Sequence, residues 1–424
     1  MPRRVLLLLP QFTHDPASGA ARSMVGTARL LAAGGATGAG MPADGERFEV
    51  RALCTTATEG GRPIHALALL NQLGLSPKVD RRGAVGKGAP VIAFADRGVE
   101  TEALDVGEAG VRDWELRFGP QFNRMLARTL DTFQPDLVFT FGGTPPDQSR
   151  RELCRLAGAS VVFGLRNMDY LHPLAFENVD AVLTPSVFVE RTYRERLGLV
   201  STVIPSPMEP EDVVAEKLEP RFVTFVNPTP AKGIFFVMRL FDELAQRRPD
   251  VPLRIIEGRG RAEHVAQVAQ LCGFDLRFMR SLTISAALPR PRDVFAQTRV
   301  LLMPTVRDEA FGRLAAEALL NGVPALVADR GGLPEAVGEG GFVLPIPAGF
   351  TFESRKPPLL SEAQPWIDTI LRLVDDGVFY EAARGRALSA AGRYAPERLG
   401  AAVRAFFASV KRAGAPPLAR PGGG

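Results

Sequence analysis

Apolar positions along this chain fall into two kinds of run. Short, nearly uninterrupted ones at 5–9, 48–54, 91–94, 137–141, 161–165, 179–184, 221–226, 253–256, 299–304 and 325–328 have the length and density of buried strands. Between them lie longer stretches in which apolar residues recur every three or four positions, at 24–33, 116–133, 187–197, 234–246 and 313–320. That is the period of a helix with one buried face. Strand, loop and helix follow one another in that order through most of the chain, which predicts an α/β architecture with parallel sheets. Beyond residue 343 the pattern changes. The stretch 343–365 is proline-rich and reads as largely irregular, and 366–374, 378–388 and 396–410 read as helices without strands between them.

The alternation breaks once. Residues 201–210 contain three prolines, so the backbone there is expected to be extended and stiff, and a second strand and helix series begins behind it. This predicts a Rossmann-like N-terminal domain over 1–205 and a second over 206–390, with the helix at 396–411 packing back on the first and a disordered tail at 413–424. The Gly- and Ala-rich stretch 34–47 reads as a flexible insertion, and 81–90 as an irregular loop.

Length and composition agree with this division. A chain of 424 residues is too long for one ordinary core, and 46% hydrophobic with 23% charged residues is the composition of a soluble globular protein. The opening MPRRVLLLL reads as a first buried strand, because its apolar run is five residues and stops at Pro10. No run approaches the ~18 apolar residues that mark a membrane span. The net charge of +4 suits a phosphate-bearing ligand or an anionic membrane surface. Nucleic-acid binding would need clustered basic residues on a reading module, and there is none. Cys54, Cys154 and Cys272 have the spacing of neither a metal knuckle nor a redox pair, which points to reducing cytoplasm. Arginines such as Arg150, Arg151 and Arg155 are the charges of an ordinary solvated face, and peripheral membrane contact stays open.

The chemistry concentrates in 308–341, DEAFGRLAAEALLNGVPALVADRGGLPEAVGEGG. Glu309 lies in a loop and Glu317 inside the predicted helix that follows the Phe311-Gly312 turn. The N-terminus of that helix presents unpaired N–H groups to an anion or to sugar hydroxyls. Asn321-Gly322 and Pro324 end the helix, and Gly331-Gly332 with Pro334-Glu335 follow the next strand. A second loop, Asn227 to Gly233, leaves its own strand at the same expected sheet edge and carries Lys232, a mobile positive charge suited to diphosphate oxygens.

These residues resemble the donor-binding half of the retaining family 4 glycosyltransferases, enzymes of the GT-B fold. The shared pattern is two Glu separated by seven residues (Glu309, Glu317), then Gly322-Val323-Pro324, then Gly331-Gly332-Leu333-Pro334-Glu335. Four elements in order over about thirty residues make a specific signature. The resemblance is strong over about 222–344 and general before that. It implies two Rossmann-like domains with parallel sheets facing a central cleft, and a hexose moved from a nucleotide-diphosphate sugar to a glycan, lipid-linked or small-molecule acceptor with retention. No cofactor beyond the nucleotide-sugar co-substrate and no metal are implied.

By the same resemblance Glu309 contacts donor-sugar hydroxyls, Glu317 the ribose hydroxyls, and Lys232 the departing diphosphate. Phe311, Gly312 and Arg313 offer backbone amides, while Gly233, Gly258 and Met279, within the segment RFMRS, line the donor site. The family commonly has Arg five residues before the lysine. Here that place is Asn227, which removes a fixed charge and leaves Arg307 or Arg313 to supply it. Gly19, Gly143, Arg166, Asn167 and His172 are the acceptor-side candidates. The bland alternatives are a turn at Gly19 and Gly143, core packing for Phe311, and a helix cap for Glu335. Both Glu317→Ala and Lys232→Ala are expected to lower donor turnover without unfolding the protein. Two other readings stay open: a non-catalytic nucleotide-sugar-binding protein, and a nucleotide-sugar epimerase or hydrolase of the same fold.

Overall fold

The computed structural model describes residues 1–33, 46–59, 65–82, 88–111, 113–288 and 290–411. Most of the expected insertion at 34–47, the middle of the 81–90 loop and the tail from 413 lie outside the described residues. Contacts divide the chain into two units: residues 1–185, 190–207 and those from Pro396 on form the first, and 186–189 with 208–395 form the second.

The first unit is built on β1 (Arg3–Leu8), α1 (Gly19–Ala33), β2 (Phe48–Thr55), α2 (Ala66–Gln72), β3 (Lys78–Asp80), β4 (Val91–Asp96), β5 (Val99–Leu104), α3 (Trp114–Phe133), β6 (Leu137–Thr140), α4 (Pro145–Leu156), β7 (Ser160–Gly164), β8 (Ala181–Thr184), α5 (Val187–Leu197, whose first three residues group with the second unit) and β9 (Thr202–Val203). Its nine-stranded sheet runs β3-β4-β5-β2-β1-β6-β7-β8-β9. From β5 to β9 neighbours are parallel, but β4 is antiparallel to both β3 and β5, so the sheet is mixed at one edge rather than wholly parallel. The Ser18 hydroxyl accepts the Ala21 N–H at 3.2 Å and caps α1.

The second unit follows with α6 (Pro210–Val213), β10 (Phe222–Val226), α7 (Ile234–Arg247), β11 (Leu253–Ile256), α8 (Ala262–Cys272), β12 (Leu282–Ser285), α9 (Pro291–Phe295), β13 (Thr298–Met303), α10 (Arg313–Leu320), β14 (Ala325–Ala328), α11 (Leu333–Val337), β15 (Phe342–Leu344), α12 (Leu360–Asp375) and α13 (Gly377–Ala391). The last helix, α14 (Pro396–Ser409), belongs to the first unit. Arg3 on β1 donates to the carbonyls of Phe407 at 2.8 Å and Ala408 at 3.1 Å, satisfying acceptors at that helix's end. Phe407 also meets Phe139 of β6 edge to face.

Every strand pair of the second sheet is parallel, in the order β12-β11-β10-β13-β14-β15. Helix α7 owes its place to its apolar face: Ile234, Phe236, Val237, Leu240, Phe241 and Leu244 are all buried. Burying each of these contributes about 1.5–3 kcal/mol before entropy is set against it. The chain builds outward from β10 to β12, returns, and builds from β13 to β15 on the other side. The order therefore reverses between β10 and β13, and at such a switch point the loops after the two strands diverge and leave room for a ligand.

Candidate functional site

The loops that meet at the carboxyl ends of β10 and β13 are those carrying Lys232 and Glu309. Val306 N–H and the Thr305 hydroxyl both donate to the Ala231 carbonyl, at 3.1 and 2.8 Å, which holds the second loop against the first. Lys232 Nζ donates to Glu309 Oε1 in an ion pair. Thr305, buried at the strand end, also reaches that oxygen at 3.4 Å. Close approach sets the glycines here. At Gly233, with φ 86°, a Cβ would stand 2.0 Å from the Pro304 carbonyl oxygen. At Gly331, with φ 60°, it would stand 2.3 Å from the Glu309 carbonyl oxygen. That same carbonyl accepts the Gly332 N–H at 2.7 Å, so the glycine pair fixes the backbone of Glu309 from behind.

Glu317 sits one turn inside α10, and its side chain is 1% exposed. Arg313 Nε donates to its Oε1 at 2.8 Å, an i,i+4 pair made by the helix itself. Gly312 precedes the helix in the left-handed region, at φ 97°, and the first N–H groups of α10 open beside it. The Phe311 ring is buried against Tyr394, with centroids 5.9 Å apart, so its side chain is core packing. Tyr394 donates its hydroxyl to the Ala336 carbonyl at 2.7 Å, and burial pushes its pKa up to about 12.

Two donor-site expectations change. Asn227 lies in the left-handed region, at φ 64°, and its Oδ1 accepts the Gly260 N–H at 3.0 Å. It ties the loop after β10 to the loop after β11, where Gly258 packs against it so closely that a Cβ would meet Asn227 Cβ at 2.9 Å. The side-chain oxygen is thus engaged in holding a turn. Met279 precedes β12 and is buried in the second unit's core, at the amino end of the sheet and opposite the edge that carries Lys232. The RFMRS segment forms a short 3-10 turn before the strand begins, and Ser285 is the residue that reaches the carboxyl edge, accepting the Glu257 N–H at 2.9 Å.

Glu335 caps a helix other than its own. Its carboxylate accepts the N–H groups of Val187 at 2.8 Å and Phe188 at 2.6 Å, within the 186–189 segment that groups with the second unit. The hydroxyl of Ser186 donates to the Ala310 carbonyl at 2.6 Å, steadying the backbone between Glu309 and Phe311. Pro185-Ser186 reads in the sequence as a helix start with Ser186 its N-cap, and Ser186 accepts the Val189 N–H at 3.2 Å in that role, whereas Thr305 did not stand out. Their signal is positional, a hydroxyl residue immediately after a proline that closes a strand.

The acceptor-side candidates lie in the first unit. Gly19 is the first residue of α1 and has open space around its Cα, so no close approach requires glycine there. Gly143 does face crowding, since a Cβ would stand 2.9 Å from the Tyr170 ring. The turn it occupies is the N-cap of α4, where Thr144 N–H donates to Asp147 at 3.0 Å. Arg166 is buried, Asn167 Oδ1 accepts the Asp169 N–H, and His172 Nδ1 accepts the Leu174 N–H at the head of a 3-10 turn. Gly143, Asn167 and Tyr170 therefore come together over an aromatic cluster with Phe163, Phe176 and Tyr193. Burial pushes the thiols of Cys54 and Cys272 up to about 11 and that of Cys154 up to about 12, so none is poised as a thiolate. Among the described residues no three His, Cys, Asp or Glu side chains gather as a metal site would require, and no helix is long and apolar enough to cross a membrane.

Two α/β units of this kind, with the ligand edge of the second at a β10/β13 switch point, define the GT-B fold. Solved structures of that fold align over nearly the whole chain. The Anabaena protein HepE in complex with UDP and glucose has a TM-score of 0.62 at 17% identity, over 96% of this chain and 100% of its own. WaaG, a glycosyltransferase involved in lipopolysaccharide biosynthesis, gives 0.61 at 13% identity over 96% and 100%. The pneumococcal O-GlcNAc transferase GtfA in complex with UDP and GlcNAc gives 0.63 at 10%, over 96% and 99%. Within that fold, residues 219–375 match the family model of glycosyl transferases group 1. Curated relatives include the D-inositol 3-phosphate glycosyltransferases of Corynebacterium efficiens, 31% identical over 38% of this chain and 36% of that one, and Corynebacterium diphtheriae, 29% identical over 34% and 32%. The chain thus spans about a third of the length of the curated relatives it matches.

Proposed function

We propose that the protein is a retaining glycosyltransferase that moves a hexose from a nucleotide-diphosphate sugar to an acceptor hydroxyl. The observation that supports this reading best is the meeting of Lys232 and Glu309 at the switch point, with Glu317 behind them on α10, inside the segment that matches the glycosyl transferases group 1 model. In this reading Glu309 accepts hydrogen bonds from donor-sugar hydroxyls and Glu317 from the ribose hydroxyls, because an ionised carboxylate takes two hydroxyl donors well. Lys232 and the N-terminus of α10 stabilise the charge that develops on the departing diphosphate. That task needs no divalent ion, and the donor phosphate takes the acceptor's proton. UDP is the first nucleotide to try, since two of the aligned structures hold it, and a phosphorylated polyol is the first acceptor class, from the names of the curated relatives.

A second reading, a nucleotide-sugar-binding protein without transfer, is favoured by one observation. Asn227 holds a turn where the resembling family has an arginine, so the loop offers the diphosphate one lysine and no fixed guanidinium. Calorimetry and thermal shift against UDP, GDP, ADP and their hexose conjugates identify the donor, because a ligand of the folded state raises its melting temperature. Incubation of that donor with inositol phosphate then separates the readings. An acceptor-dependent product with the donor's anomeric configuration is expected. Acceptor-independent consumption of donor would instead indicate an epimerase or hydrolase, and binding without turnover the binding protein.

A further inference from the structure

Both carboxylates of the candidate site already have a cation: Lys232 on Glu309, and Arg313 on Glu317. Those four side chains sum to zero charge, so a dianionic diphosphate meets a site whose mobile ammonium is occupied. We infer, on the donor reading above, that the Lys232–Glu309 pair is an exchange switch that favours the sugar-loaded donor over the spent nucleotide. An intact donor offers each partner a substitute. Its phosphate oxygens take the ammonium, and its sugar hydroxyls take the Glu309 carboxylate. A nucleoside diphosphate offers only the first, and leaves Glu309 as an uncompensated negative charge beside a diphosphate that carries still more charge than the donor's. Once the sugar has left, Glu309 reclaims Lys232 and weakens the hold on the product. The geometry suits such a swap. The pair is partly exposed, with side chains 33% and 21% accessible, while its backbones are fixed through Ala231, Thr305 and Gly331. The side chains can trade partners while the loops stay still.

The test is calorimetric titration of the full chain with UDP and with UDP-glucose, for the wild type, Glu309→Gln, Lys232→Gln and the double variant. Glu309→Gln is expected to bind UDP about tenfold more tightly, because the diphosphate then meets a Lys232 that no longer has to be taken from a carboxylate, a charge-assisted bond. Its preference for UDP-glucose over UDP is expected to collapse. The gain for UDP should vanish in the Lys232→Gln background, because it consists of a freed lysine. Should Glu309→Gln fold poorly, Glu309→Asp, which shortens the reach by one methylene, is expected to shift the UDP affinity in the same direction by a smaller factor. Unchanged or weaker UDP binding in the Glu309 variants overturns the inference while leaving the donor reading intact. A gain that persists without Lys232 also overturns it, since plain repulsion would then be the cause. Should the donor screen select another nucleotide, that nucleotide and its hexose conjugate replace UDP and UDP-glucose as probes; a wild type that binds none of UDP, GDP, ADP or their hexose conjugates overturns the donor reading and this inference with it.

Discussion

Glu317 offers a test in which stability and binding separate. Its side chain is 1% exposed and accepts from Arg313 Nε at 2.8 Å, while the Arg313 side chain is itself only 14% exposed. In Glu317→Ala the guanidinium keeps its charge, loses this carboxylate and stays buried. Breaking a buried pair from one side costs about 3–5 kcal/mol. Glu317→Gln keeps the shape and an oxygen facing Arg313, and gives up only the ionic part of a charge-assisted bond, about 1 kcal/mol. For a unit of this size each kcal/mol moves the melting temperature by about 2–4 °C. Alanine should therefore lower it by about 6–20 °C and glutamine by about 2–4 °C. The expectation from sequence that Glu317→Ala leaves the fold intact overlooks this burial, and it makes glutamine the variant that reports on chemistry.

Glutamine has one acceptor oxygen where the carboxylate has two, so a ribose diol loses at least one charge-assisted hydrogen bond, about 1.5–3 kcal/mol or roughly 10- to 100-fold in affinity. Differential scanning fluorimetry gives the first quantity and calorimetry with UDP the second. Glutamine binding UDP within about twofold of wild type would refute the ribose contact. Equal melting of wild type and alanine variant would refute the buried-pair argument.

Three further outcomes follow from the geometry. Asp96 Oδ2 lies 2.8 Å from His14 Nε2 and accepts from Arg29 Nε at 3.1 Å. Burial works against its charge, but the hydrogen bond with His14 and the charge of Arg29 outweigh it, so its pKa is depressed well below the ordinary carboxylate range. A depressed pKa stabilises above the unfolded value of about 3.9 and loses that contribution as pH falls through the folded one, so melting of the first unit should drop progressively below about pH 4. Asp96→Asn should melt lower at pH 7 and show a shallower acid decline, and parallel curves for the two proteins would refute this. Asn227→Gly should cost about 1 kcal/mol, for the bond to Gly260, and Asn227→Ala about 2, because alanine also resists φ 64°; urea denaturation ranking alanine above glycine would contradict it. Glu335→Ala removes the acceptor of the Val187 and Phe188 N–H groups, so hydrogen exchange at those two amides should speed up with a loss of about 1–2 kcal/mol, and unchanged protection would sink the cap assignment.

What the sequence disclosed and what it concealed divide along a physical line. Helices α5 and α10 and strands β11 and β14 have the bounds their apolar runs predict, because each is closed by local chemistry such as Asn321-Gly322 and Pro324. Helix α4 was invisible for the opposite reason. The residues it buries are Asp147, Arg150, Arg151 and Cys154, so its inward face reads as a solvated one. Arg150 lies over the rings of Trp114 and Phe122, and Arg151 donates to the carbonyls of Gly142, Ala175 and Glu177. Strand β5, Val99–Leu104, hid because two glutamates interrupt it, and Leu116, counted on the apolar stripe of α3, points outward at 95% exposure while Trp114 and Phe118 face the core.

The site divides the same way. A motif singles out residues by type and spacing, and Glu309, Glu317 and Lys232 were legible in that sense. It does not say how they engage one another when the ligand is absent. The Lys232–Glu309 contact joins positions 77 residues apart, and the Asn227–Gly260 contact positions 33 apart, so neither is present in any local window. Those contacts change the electrostatics. A diphosphate approaching isolated Lys232 would gain an attraction, whereas one approaching a Lys232–Glu309 pair must first supply Glu309 with another partner. Asn227 sharpens the requirement, because its amide is bound to Gly260 and no guanidinium stands at that position to hold the phosphates meanwhile. Under the proposed exchange the sugar hydroxyls are then more than the cargo: they are the group that frees Lys232. On the proposed donor reading, recognition of sugar and of diphosphate at this edge becomes one coupled event, set by an ion pair that only the fold brings together.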